Sequence, residues 1–206
     1  MPGLVRRTQR GDTIIEVLFA VTVFAMVAVG AMAIMNQGTG TAQRAVEITQ
    51  VRQQIDAQAE ALRFIHQSYV AQFQRGAVPT GKAALWATIM QNEKEVASNF
   101  GIQNGACPVL RDVQNVFALN ARKVEMAGLR PTNDAPQGGS VPPFAQVIYR
   151  DDSTVESVYG LWIEAVRGNA DKGPDYVDFH IRACWDSPGS DVPVTLGTIV
   201  RLYEPR

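Results

Sequence analysis

Four groups of side chains in this sequence have the types and spacing to do chemistry. The first is Glu16, a carboxylate at the head of an apolar run. From 17 to 35 only Thr22 is polar, and beyond it no charge appears until Arg44. Glu16 follows Gly11 by five positions, behind a head that carries Arg6, Arg7 and Arg10 and no acid. A carboxylate costs about 3 kcal/mol at a bilayer centre, whereas near the interface it reaches water. Among packed helices it can neutralise an amine, which removes two unpaired charges at once. The second group is Cys107 and Cys184, the only two cysteines. They are candidates for a disulfide in an oxidising compartment, with two buried thiols as the alternative. The third is Asn169, Asp171 and Asp175, which echo the oxygen-rich start of a calcium loop. Their carboxylate spacing misses the EF-hand pattern and no bidentate glutamate closes it, so a solvated turn is expected, with a calcium site as the weaker option. The fourth is His66 and His180. They have no metal-ligand spacing between them and no serine, cysteine or lysine placed as a nucleophile, so both are expected at the surface or in packing. No enzyme and no cofactor follow from this inventory.

These residues need elements to position them. A helix over 17–35 is roughly 28 Å long, about the hydrocarbon thickness of a bilayer. The arginine cluster places the N-terminus on the cytoplasmic side and everything after residue 35 outside. Both cysteines then lie outside, where disulfides persist. The chain has 19 basic and 20 acidic residues; without the three leader arginines the exported part has a net charge of about −4. That argues against nucleic-acid binding by the whole molecule, because phosphate binding needs a basic face. At 206 residues there is room for one membrane helix and one globular domain.

A basic leader, a glycine, a short gap, a glutamate and an apolar helix together resemble the N-terminus of the type IV pilin and pseudopilin family, over about the first thirty residues. The resemblance implies cleavage between Gly11 and Asp12 by a prepilin peptidase on the cytoplasmic face. The new terminus is Asp12, the position that is commonly N-methylated in the family. Asp12 stands where the family usually has phenylalanine or another apolar residue. Glu16 matches the family's glutamate, which pairs with a neighbour's N-terminal amine in the filament core. The implied partners are other pilin subunits, the prepilin peptidase, the inner-membrane assembly machinery and, before assembly, the lipid bilayer. The implied function is a subunit of a type IV pilus-like filament in adhesion, twitching or DNA uptake. A pseudopilin of a type II secretion system is the alternative, and a secreted or anchored binding module or enzyme a more remote one. Two rival N-termini stay open: signal-peptidase cleavage after Ala31-Met32-Ala33, and an uncleaved anchor.

Beyond the span, Gly38 and Gly40 each cost about 1 kcal/mol of helix propensity, marking a soft point. From Ala42 an apolar stripe recurs at three- and four-residue spacing: Ile48, Val51, Ile55, Ala59, Leu62, Ile65, Tyr69 and Phe73. Arg44, Glu47, Arg52, Asp56, Glu60 and Arg63 are expected on other faces. Unbroken from 14 to 73, the helix would be roughly 90 Å long. Gly76 and Pro79 end it, and Thr80 is expected to cap a second helix over 82–99. A strand over 113–119, a loop over 129–143 and strands over 145–149, 158–166, 176–185 and 196–203 follow. The expected fold is α+β: a long N-terminal helix, transmembrane in its first half and amphipathic in its second, packed against an antiparallel sheet. The expected divisions are a leader at 1–11, a span at 12–35, an amphipathic extension at 36–73 and a headpiece at 74–206. In the strand over 176–185, strict alternation puts Cys184 on the polar side, so a local adjustment of the strand is expected there.

Overall fold

The structure, a computed structural model, describes residues 14–74, 78–98, 105–110, 113–135, 139–168, 175–188 and 190–205. The chain divides into two units, Met1–Gln43 and Arg44–Arg206, so the amphipathic part of the long helix belongs to the headpiece unit.

In the first unit the described residues are all helical, the N-terminal part of α1 (Ile14–Gln72). Its large apolar side chains are exposed: Ile14, Phe19, Phe24, Met26 and Ile34 are each 70% accessible or more. Thr22 Oγ1 donates to the Leu18 carbonyl at 2.6 Å, so the one polar side chain of the run is satisfied within the helix. The helix continues through Gly38 and Gly40, where Thr39 and Thr41 donate back to the Asn36 and Gly38 carbonyls.

The second unit is built on the C-terminal part of α1. Val51, Ile55, Ala59, Leu62 and Ile65 are buried along the expected stripe. They share a core with α2 (Lys82–Met90) and the inner face of the sheet. The strands are β1 (Leu119–Asn120), β2 (Glu125–Met126), β3 (Gln146–Tyr149), β4 (Val155–Tyr159), β5 (Leu161–Gly168), β6 (Tyr176–Trp185) and β7 (Val194–Tyr203). Among the described residues β5-β6-β7 form an antiparallel three-stranded meander, while β1-β2 and β3-β4 are separate hairpins. The layout is therefore α+β with small antiparallel sheets. Trp86 joins the layers, with its ring centroid 4.8 Å from that of His66 on α1 and 5.6 Å from that of Phe179 on β6.

Several expectations are corrected. Glu47 is not on an outer face: it lies one turn before Val51 on the stripe and is buried. The run 158–166 is two strands, because Gly160 turns the chain at φ +60°, and a Cβ there would stand 2.4 Å from the Cys184 carbonyl. The segment 113–119 does not form a full strand. Asn115 has φ +58°, and only Phe117 bridges to Ile163 before β1 begins. Thr80 is not the cap of α2. Its N–H donates to Gln72 Oε1 at 3.1 Å, and Gly81 takes the N-cap position.

The second helix stops at Met90 instead of 99 because Lys94 exchanges helical bonds for sheet bonds. Its N–H donates to the Ala165 carbonyl at 2.9 Å, and its carbonyl accepts from Arg167 N–H at 2.8 Å. Lys94 thus bridges to β5 at Val166, and Ser98 is held over Glu164 on its outer face. Cys184 needs no local adjustment of its strand. It sits on the outer face with Trp162, Leu110 and Cys107, a small apolar cluster that buries this end of the sheet on both sides.

Candidate functional site

The N-terminal apolar surface is the feature most in need of a function. A free helix with this much exposed apolar surface is unstable in water, since burial is worth about 25 cal/mol per Å². The helix is long and apolar enough to cross a membrane. Glu16 lies in its first turn and is exposed. No side chain blocks Gly30, which has nothing within 4 Å of where a Cβ would stand, so another helix can approach its backbone closely. Gly11 and Asp12, the positions expected for cleavage and methylation, lie outside the described residues.

Cys107 and Cys184 are joined, with Cα atoms 5.7 Å apart. The bridge ties the segment before the hairpins to the C-terminal part of β6, 77 residues later. Asn169 and Asp171 lie outside the described residues. Asp175 is exposed, and its carbonyl accepts from Glu204 N–H at 2.9 Å. Among the described residues no group of three His, Cys, Asp or Glu side chains could hold a metal ion. His66 Nε2 lies 2.8 Å from the Tyr203 carbonyl, tying α1 to the last strand, so it serves packing. His180 is half-buried on the outer face of β6 beside Arg182.

Three buried polar side chains were missed in the sequence. Glu47 Oε2 accepts from Trp185 Nε1 at 3.2 Å and from Ser187 Oγ at 2.6 Å, so it clasps the end of β6 to α1. Gln58 reads the backbone of β1 as a strand would, with Nε2 donating to the Leu119 carbonyl and Oε1 accepting from Leu119 N–H, both at 2.8 Å. Glu164 is fully buried and accepts from Lys94 Nζ and from Ser98 Oγ, the latter at 2.7 Å. A signal existed for each: the first two fall on the apolar stripe, and Glu164 interrupts the run Leu161 to Val166.

A cleft of about 580 Å³ opens beside Tyr69, Phe73, Trp86 and Met90. Arg167 and Glu204 in its lining are paired at 3.5 Å, and among the described residues the lining holds no serine, cysteine or lysine nucleophile. Comparison with protein-family models, curated proteins and solved structures finds no match to this chain.

Proposed function

We propose that the chain is a pilin-like subunit, held in the inner membrane as a precursor and assembled into a type IV pilus-like filament. The observation that carries this is the exposed apolar helix with Glu16 in its first turn, continuous in sequence and secondary structure with the helix of a disulfide-bonded headpiece. Before assembly, lipid covers the apolar side chains. In the filament, the same side chains exchange lipid for neighbouring helices. Cleavage after Gly11 frees an amine at Asp12, and Glu16 of an adjacent subunit neutralises it in the apolar interior. Headpieces meet through heterologous contacts, which extend into a fibre because the rotation does not close. The work is structural, and no catalytic step is assigned.

The test is the N-terminal peptide and intact mass of the protein from its native host. The expected mature chain begins at Asp12. A chain beginning at Ile34, or an intact Met1 terminus, would overturn the proposal. In parallel, Glu16→Ala is expected to leave export intact and to lower incorporation into sheared surface filaments at least tenfold, the consequence of about 1.4 kcal/mol or more of lost pairing. A yield equal to that of the native protein would remove the charge-pairing step.

A further inference from the structure

The outer face of β5 and β6 carries a charged cluster that filament assembly does not use, and the inference drawn from it is independent of that proposal. Glu164 Oε1 is occupied by Lys94 and Ser98, but Glu164 Oε2 is buried without a hydrogen-bond partner. His180 stands directly opposite Glu164 in the register of β5 and β6. Opposed side chains on one face of an antiparallel pair are neighbours, with Cβ atoms about 5 Å apart. His180 Nδ1 lies 3.2 Å from Arg182 Nη2. A guanidinium only donates, so Nδ1 is the acceptor and the ring is neutral. Arg182 Nη1 in turn donates to the Ser98 carbonyl at 3.2 Å. A neutral imidazole thereby orients the cation that holds the far end of residues 93–98 on the sheet.

Among the described residues Arg182, Asp178 and Glu164 act directly on the charge of His180, and each element beside it carries a charged side chain. Asp178 and Arg182 share its strand, Glu164 comes from β5, and Lys94 comes from residues 93–98. From β7 comes Arg201, which binds Asp178 through two bonds of 2.8 Å. An imidazolium here would add a positive charge in contact with Arg182.

We propose that His180 is a proton-operated latch on residues 93–98. Neutral, its Nδ1 accepts from Arg182 and keeps that guanidinium on the Ser98 carbonyl. Protonated, the ring surrenders Arg182, donates to the open Glu164 Oε2, and residues 93–98 loosen from the sheet, beginning at Ser98 and reaching Lys94. Burial, and then the Arg182 guanidinium, hold His180 below its ordinary 6.5, while Asp178 and Glu164 pull the other way. The latched arrangement is thus the weaker proton binder, so protons favour the released one. The latch is closed above pH 6.5 and opens as pH falls through the titration of His180, on the acid side of that value.

The experiment is amide exchange in the full-length chain in detergent micelles at a series of pH values, with each rate divided by its intrinsic rate. The Lys94 and Arg167 N–H groups, which bind residues 93–98 to β5, are expected to lose protection at least about threefold as His180 protonates. His180→Asn keeps an acceptor for Arg182 but does not titrate, so it should show less than that loss. A smaller change in the native protein overturns the latch, as does an equal loss in His180→Asn. Ring ¹⁵N shifts of the native protein provide a test that needs no variant: Nδ1 carrying a proton at neutral pH would overturn it alone.

Discussion

Removing the amide of Gln58 should be among the most damaging single changes to the headpiece. Gln58 is 1% exposed, and Leu119, whose N–H and carbonyl it satisfies, is fully buried. Gln58→Ala leaves both backbone groups without a partner in a place water does not reach. An unsatisfied buried group costs about 1–3 kcal/mol, so the pair costs about 2–6 kcal/mol, with a further contribution from the cavity. For a unit of this size each kcal/mol lowers the midpoint by about 2–4 °C, which gives an expected fall in Tm of about 4–24 °C. The assay is thermal unfolding of the full chain in detergent, followed by near-UV circular dichroism of its buried tryptophans. Gln58→Met keeps the volume and removes the hydrogen bonds, so it should lose most of the same stability. A fall of less than about 3 °C in Gln58→Ala would refute the reasoning, and a Met variant as stable as the native protein would assign the effect to packing.

Two further outcomes follow from the headpiece. Gly160→Ala forces a Cβ against the Cys184 carbonyl at a positive φ, so the backbone must shift, and the bond from Cys184 N–H to the Gly160 carbonyl weakens. A loss of about 2–4 kcal/mol of unfolding free energy is expected in denaturant titration, and an unchanged midpoint would contradict the geometry. Replacing both Cys107 and Cys184 by serine frees a loop with a separation of 77 residues. It should cost about 2–4 kcal/mol of unfolding free energy, and adding reductant should shift the native protein but not the variant.

The long helix was legible in the sequence because its signal is periodic and local: a nearly pure apolar run, then Val51, Ile55, Leu62 and Ile65 on one stripe. The strand β6 was legible for the same reason, since Val177, Phe179, Ile181 and Ala183 alternate with polar partners. What escaped depends on contacts distant in sequence. The early stop of α2 is decided by Lys94 meeting β5, some seventy residues away. The burial of Glu47 is decided by Trp185 and Ser187, which follow it by 138 and 140 residues in the chain. Periodicity cannot distinguish a polar residue that faces water from one that faces a waiting donor. Of the candidate site, Glu16 was legible because a carboxylate beside an apolar helix is unusual by composition alone. The cysteine pair was legible only as a count, since the closure of Leu110 and Trp162 over its outer side belongs to the tertiary fold.

The two borders of the meander differ in kind. The outer border of β5 is already taken, by the backbone of Phe117 at one point and of Lys94 at another. Among the described residues β7 ends the sheet on the other side. Runaway cross-β stacking needs every molecule to present two vacant borders, one to receive and one to offer. Among the described residues this meander presents one. Two copies that met border to border through β7 would use up that vacancy in each, and propagation through the meander would stop there. Crowded at high density, such meanders thereby resist amyloid-like growth without a guarding proline or lysine anywhere in β7.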